Sequence, residues 1–189
     1  MPTEPVTAPG LRRNDAAAVG RWLCAAALAW SAGPAAAASL TLQVTLPEVS
    51  AVSYYRPYLA AWVEKADDSK AVLGTLAVWY DTRLRDNQGR GWLRNLRTWW
   101  RIGGEQLALP VDGVSGATRP AGTHALHFTG AKGALAQMPA GRYQLAVEVA
   151  REQGERELVR VPFEWGGAPN SAQAEGSKEL GQVKVDVVD

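Results

Sequence analysis

The chain has 189 residues, with 20 Lys and Arg against 19 Asp and Glu and a formal net charge of +1. This balance argues against nucleic-acid binding, because phosphate contacts need an excess of Lys and Arg, and no polybasic segment is present for a membrane surface. Its single cysteine, Cys24, has no partner for an internal disulfide.

The first 38 residues have the pattern of a secretory signal peptide. Three arginines precede an apolar run at residues 22–30, and an Ala-x-Ala cleavage site follows. The run is shorter than the ~20 residues that a membrane helix needs, so we predict an exported, soluble protein. Cleavage after Ala38 would leave 189 − 38 = 151 residues. We expect residues 39–189 to form one domain without cysteine or net charge.

Apolar and polar residues alternate with a period of two through much of the mature chain, which predicts β-strands. The first strand covers residues 40–46 and ends before a proline. Strands at 58–64 and 72–80 are separated by the polar turn 67–70. These two strands are predicted to form a hairpin.

Residues 91–101 change to a helical period. Four large apolar residues recur at helical spacing: Trp92, Leu96, Trp99 and Trp100. The arginines take the opposite face, so we predict one short helix that ends at the glycines 103–104. Adjacent residues on a helix cannot both face one core, so Trp99 or Trp100 is expected to be partly exposed. A loop is predicted over 106–122.

The second half contains an internal near-repeat. Residues 120–126, Pro-Ala-Gly-Thr-His-Ala-Leu, match residues 139–145, Pro-Ala-Gly-Arg-Tyr-Gln-Leu, and each is predicted to be a turn that opens a strand. Further strands are predicted at 157–165 and 180–188. Seven or eight short strands with one short helix predict an all-β fold, an antiparallel β-sandwich.

The two histidines, His124 and His127, do not predict a metal site. Residues three apart on a strand point to opposite faces, so the two rings cannot hold one ion from one surface. His124 matches Tyr143 of the repeat, and we expect it to occupy an aromatic packing position. The sequence also has no Gly-x-Ser-x-Gly nucleophile elbow. We therefore predict no metal and no catalytic residue.

Residues 112–118, Asp-Gly-Val-Ser-Gly-Ala-Thr, resemble the flavin attachment site of FMN-binding domains in sodium-pumping quinone reductases. In that family a flavin transferase esterifies FMN through its phosphate to the threonine, so the resemblance implies covalent FMN on Thr118. Asp112 and Ser115 would be recognition elements for the transferase, and Gly116 and Ala117 complete the predicted cofactor-binding segment. Small residues suit a thin, extended acceptor segment. The Arg-Pro pair that follows departs from the family pattern, and an ordinary surface turn remains the alternative.

Five blocks in the same order resemble the family of predicted periplasmic proteins known as domain of unknown function 2271: residues 54–64, 76–80, 92–101, 112–120 and 148–152. The resemblance covers essentially the whole mature chain and implies a periplasmic immunoglobulin-like domain. Residues 139–145 also resemble the immunoglobulin-like domain of flagellar hook-capping proteins. Family members occur beside or fused to flavin transferases and iron-uptake or flavin-reductase membrane proteins. Such a transferase and such a membrane-embedded protein are the partners that the resemblance implies.

Nine aromatic residues fall between positions 54 and 100, and most are expected to be core. Trp99 or Trp100, beside Arg97 and Arg101, could form an exposed platform for a ring or a partner. Two functions stay open. One is a periplasmic accessory module of a flavin- or iron-linked electron-transfer system, with FMN on Thr118. The other is a cofactor-free binding module, expected to be a monomer, that docks on a membrane reductase or iron-uptake protein.

Overall fold

A computed structural model describes residues 38–49 and 54–188. These residues contain nine strands: β1 Ser39–Leu46, β2 Tyr58–Lys65, β3 Val72–Tyr80, β4 Ser115–Ala117, β5 Gly122–Thr129, β6 Gly141–Ala150, β7 Arg156–Trp165, β8 Asn170–Glu175 and β9 Gln182–Val188. Apart from Ala38, the predicted signal peptide lies outside the described residues. No helix in these two ranges is long and apolar enough to cross a membrane.

The strands form two sheets, ordered β5-β1-β9-β8 and β4-β3-β2-β6-β7. Every pairing is antiparallel except that of β3 with β4. Alternate residues of β1 and β9 from one sheet, and of β2 and β6 from the other, are buried in one continuous core. The prediction of an all-β sandwich is confirmed.

The predicted hairpin of β2 and β3 is also confirmed. Unlike an ordinary sandwich strand, β2 is buried on both faces. Leu59 and Val63 belong to the core between the sheets, whereas Ala60 and Trp62 belong to a second apolar cluster on the outer face of the five-stranded sheet. Residues 81–114 cross this outer face, and Leu93, from their middle, belongs to the same cluster. They therefore remove from water a face that most sandwiches leave solvated.

The predicted helical region is present, but it is not one continuous amphipathic helix. Residues 85–104 instead form three short helical segments: 3-10 turns at Arg85–Asn95, an α-helical turn at Arg97–Trp99 and a π turn at Trp100–Gly104. The helical conformation is interrupted at Leu96. The next helical turn begins where Glu148 on β6 accepts hydrogen bonds from the backbone N–H groups of Thr98 and Trp99, at 3.0 and 2.7 Å. A carboxylate at a helix start satisfies N–H groups that have no partner within the helix. The tertiary contact with Glu148 therefore overrides the helical spacing of the apolar residues in 91–101.

Two carboxylates are almost completely buried on the outer face of the five-stranded sheet, and both are paired. Glu64 accepts hydrogen bonds from the indole N–H of Trp62 at 3.0 Å and from Arg160 at 2.5 Å. Glu148 accepts a third hydrogen bond, at 2.7 Å, from Arg156. A buried charge is tolerated only when its oxygens have such partners. Glu64 thus links β2 to β7, and Glu148 ties the helical segments to the five-stranded sheet.

The internal repeat has the same local structure in both copies. The Tyr143 hydroxyl donates to the carbonyl of Pro139 at 2.7 Å, and His124 Nε2 donates to the carbonyl of Pro120 at 2.8 Å. Each bond spans four residues and closes the turn that precedes its strand. His124 also packs edge-on against Trp79, with 5.7 Å between the ring centres, so the expectation that it occupies an aromatic packing position is confirmed.

Glu157, near the start of β7, organises the loop that precedes β9. Its carboxylate accepts backbone N–H groups from Ser177, Lys178, Glu179 and Leu180, at 2.6 to 3.0 Å. Partial burial acts to raise the pKa of Glu157, but the hydrogen bonds outweigh it and lower the pKa from an ordinary 4.5 to about 2. The ionised form is therefore favoured in the folded state.

This shift predicts how acid affects the fold. A carboxyl group whose pKa is lowered on folding stabilises the protein above its unfolded pKa, and that contribution is lost as the pH falls through the folded value. Glu157 should therefore stabilise the domain fully above about pH 5 and progressively less down to about pH 2. In urea titrations at several pH values, Glu157→Gln should be less stable at pH 7 and should approach the wild type near pH 2. Glu175→Gln, an exposed control on β8, should follow the wild type. Parallel curves for wild type and Glu157→Gln would contradict the assignment.

Candidate functional site

The segment that resembles a flavin attachment site is an edge strand. Residues 106–122 were predicted as a loop, but β4 pairs in parallel with the end of β3. Val78 N–H donates to the carbonyl of Val114 at 2.8 Å, and Thr118 N–H donates to that of Tyr80 at 3.3 Å. Ser115 Oγ accepts the N–H of Val111 at 2.9 Å. The segment is therefore extended, with one edge of its backbone paired.

The side chain of Trp79 on β3 packs against this edge strand. A Cβ atom on Gly116 would lie 3.3 Å from Cδ1 of the Trp79 indole, so the glycine permits a close approach. The guanidinium of Arg119 lies 4.4 Å from the centre of the indole, in cation–π geometry, and His124 meets it edge-on at 5.7 Å. The arginine that departs from the family pattern after Thr118 thus has a structural role.

Thr118 and Ala117 line a cleft of about 440 Å³ at the end of β4. We call it the Thr118 cleft. Its aromatic wall consists of four residues from two segments of the chain: Tyr54, Tyr55, Tyr58 and Trp92. Its charged groups are Arg56, Arg83, Asp81 and Glu152. Thr118 is half-buried and lines the same cleft as these aromatic and charged residues.

The Thr118 cleft contains both positively and negatively charged groups. Burial, followed by the negative charges of Glu152 and Asp81, raises the pKa of the Tyr58 phenol. Tyr58 therefore stays neutral at physiological pH and keeps a hydroxyl donor. Five ion pairs occur within the described ranges, and none of them includes Arg56 or Arg83. The two guanidinium groups thus have capacity for an anion.

The other predicted cofactor-binding residues do not all accompany Thr118. Ser115 and Gly116 are half-buried within β4, where they hold the strand in place. Asp112 is exposed at the other end of the strand and lines a smaller depression of about 260 Å³ that includes Phe128 and Leu135. The structure therefore brings Thr118 and Ala117 to one cleft and leaves Asp112 outside it.

The predicted tryptophan platform loses one of its members. Trp99 is only 1% exposed, and its indole N–H donates to Thr75 Oγ1 at 3.0 Å. Trp100 is half-buried, which confirms that one of the adjacent pair is partly exposed. Arg97 and Arg101 are both exposed, and the side chain of Arg101 donates to the carbonyl of Arg97. A surface patch would thus consist of Trp100 and the two arginines.

Sequence reasoning missed the Thr118 cleft because it assigned Trp92 to the buried face of a helix. The side chain is in fact 45% exposed. One signal was present. Tyr54 and Tyr55 are adjacent just before β2, and two neighbouring residues in an extended chain point in opposite directions, so both cannot enter one core. No local pattern places these rings beside Thr118.

The histidines lie as predicted, on opposite faces of β5. His124 points toward the indole of Trp79, whereas the exposed His127 shares a hydrogen bond with Thr41 on β1 at 3.0 Å. In the described parts of the chain, no three His, Cys, Asp or Glu residues lie together as a metal site would require.

A comparison with known families finds a match over most of the chain. The model of the family described as "Predicted periplasmic protein (DUF2271)" matches residues 39–182. No curated protein and no solved structure shows a significant match.

Proposed function

The chain belongs to the DUF2271 family of predicted periplasmic proteins, and on this premise we propose that it carries FMN covalently on Thr118. It would serve as an accessory module of a flavin- or iron-linked electron-transfer system, exported by a cleaved signal peptide. In the attachment step, a flavin transferase would direct the Thr118 hydroxyl oxygen to the FMN phosphorus of a flavin–adenine dinucleotide. A phosphoester bond would form, the bond between the two phosphates would break, and adenosine monophosphate would leave together with the hydroxyl proton.

The position of Thr118 is the observation that supports this proposal most strongly. It follows an extended, small-residue edge strand and is partly exposed at a cleft lined by aromatic rings and two arginines. Aromatic rings suit stacking with a flavin, and arginine suits its phosphate. The residues around the hydroxyl are therefore chemically compatible with the group they would hold.

Covalent attachment has a physical reason outside the cytoplasm. A dissociated cofactor would diffuse away, whereas a tether replaces a dissociation equilibrium with a fixed local concentration. FMN would supply the redox chemistry, and the protein would supply position and surroundings. A membrane-embedded reductase or iron-uptake protein would exchange electrons with the module.

Thr118→Ala is expected to abolish attachment completely, because no other oxygen can replace the threonine hydroxyl at that point of the strand. The measurement is the intact mass of protein purified from periplasm that contains an active flavin transferase, with in-gel flavin fluorescence alongside. Wild type should gain the mass of FMN minus water. Thr82→Ala, which removes a nearby exposed hydroxyl, should gain it equally. An unmodified wild type under these conditions would overturn the proposal.

A second candidate function is a cofactor-free module that docks on a membrane protein. The partly exposed Trp100, the exposed Arg97 and Arg101, and Ile102 at 39% exposed favour it. Tryptophan and arginine are enriched at protein interfaces. Under this alternative, Thr118→Ala would leave partner binding unchanged, and reversing the charges of the two arginines would weaken it.

A further inference from the structure

We propose that the Thr118 cleft binds a planar heteroaromatic ring with an anionic substituent, without any covalent bond. This deepens the proposed function, on which it rests for the identity of the ring as a flavin. Recognition would then belong to the cleft itself, and attachment to Thr118 would only make it permanent.

The distribution of exposed apolar side chains points to this site. Seven large apolar residues are exposed in the described part of the chain, and four of them line the Thr118 cleft: Tyr54, Tyr55, Leu84 and Trp92. Each of the four is 37 to 45% exposed. Single exposed apolar residues are common, but a cluster within one concavity marks a binding surface. Three of the four are aromatic, which favours a ligand with a flat face.

The cleft has the size of a small-molecule site. Its volume of about 440 Å³ falls within the range of ligand pockets, roughly 300 to 1,000 Å³. Such sites combine apolar walls with a few polar groups that orient the ligand. A bicyclic or tricyclic heteroaromatic ring matches both the volume and the walls.

The charged groups define the rest of the ligand. Arg56 and Arg83 can each donate two hydrogen bonds to a phosphate or carboxylate, whereas a ligand without an anion would leave them unused. Asp81 and Glu152 can accept N–H groups from a heterocycle, and the neutral Tyr58 hydroxyl can donate to a ring carbonyl. A ring with N–H donors, carbonyl acceptors and an anionic tail uses all of these groups.

The wall that carries Leu84 and Trp92 is held in place by its own contacts. Asp81 accepts the backbone N–H of Arg83 at 3.0 Å, and the Asn87 side chain donates to the carbonyl of Leu109 at 2.9 Å. Gly89 packs so closely on Asp81 that an added Cβ atom would lie 2.0 Å from its carbonyl oxygen. A wall fixed in this way loses little conformational entropy when a ligand enters.

Free FMN and riboflavin, added to Thr118→Ala protein, test the proposal without any esterification. Saturable quenching of flavin fluorescence is expected. A further Trp92→Ala or Tyr55→Ala change should weaken binding about tenfold or more, since stacking on one aromatic residue contributes on that order. Trp100→Ala, the matched control outside the cleft, should bind as the parent does. FMN should bind more tightly than riboflavin, and Arg56→Ala with Arg83→Ala should remove that difference.

Absence of saturable binding, or binding that is indifferent to both Trp92→Ala and Tyr55→Ala, would overturn the inference. These results are separable from failure of the proposed function. If wild type is never esterified but its cleft binds free FMN, the attachment proposal falls and the cleft assignment stands. If Thr118 carries FMN but the Thr118→Ala protein binds none, attachment stands and the cleft assignment falls.

Discussion

Replacing Glu148 with alanine is expected to lower the free energy of unfolding by about 2–5 kcal/mol, because partly or fully buried donors lose their acceptor. The carboxylate is 0% exposed and accepts the backbone N–H groups of Thr98 and Trp99 and the guanidinium of Arg156. Alanine would leave the two N–H groups unpaired at the start of a helical turn. Part of this loss is offset, since a buried charge is no longer desolvated.

Urea denaturation followed by tryptophan fluorescence would measure this change. Glu148→Gln keeps the size and one acceptor oxygen but loses the charge, so it should fall between alanine and wild type. Glu105→Ala removes an exposed carboxylate from the residue that directly follows these helical segments and should change stability by less than about 0.5 kcal/mol. If both Glu148 variants matched that control, Glu148 would not be the anchor of residues 97–104.

Replacing Trp79 with alanine is expected to cost about 3–5 kcal/mol, the range for removing a buried tryptophan. Trp79 is 2% exposed and contributes to the core between the sheets. It is also the surface against which Gly116 packs, and Arg119 and His124 contact its ring. The substitution should therefore loosen β4 in addition to destabilising the sandwich.

Two measurements separate these effects. Urea denaturation gives the global loss, and amide hydrogen exchange at Thr118, whose N–H donates to Tyr80, reports on β4 locally. Trp92→Ala removes the same side chain from an exposed position and should cost less than about 1 kcal/mol. If exchange at Thr118 accelerates only by the amount that the global loss of stability would cause, β4 does not depend on Trp79.

The strands that could be predicted are those in which apolar and polar residues alternate, because this alternation indicates which face of the strand is buried. In β1, Leu40, Leu42 and Val44 alternate with polar residues, and all three are buried as predicted. The same holds for Tyr143 and Leu145 in β6. In contrast, β8 has the sequence Asn-Ser-Ala-Gln-Ala-Glu and was not predicted, since small and polar residues carry little strand signal. This segment forms a strand because its backbone pairs with β9.

The helical region could not be predicted in detail because its controlling contact is remote. Glu148 lies about fifty residues from the turn that it starts. The choice between Trp99 and Trp100 was likewise undecided by sequence. It is settled by the packing of Trp99 against Gly104, where an added Cβ atom would lie 2.6 Å from the indole.

The sequence by itself determined the sandwich, the repeated turns and the membership in a family of predicted periplasmic proteins, because each follows from local alternation, turn residues or ordered blocks. Only the tertiary structure decided that the segment resembling a flavin attachment site contains an edge strand and that Thr118 lines an aromatic cleft. That cleft combines side chains from the start of β2, the ends of β3 and β4, the turn after β6 and the segment that carries Trp92. Residues so far apart in the chain meet only when both cores have formed, so no local pattern encodes their proximity.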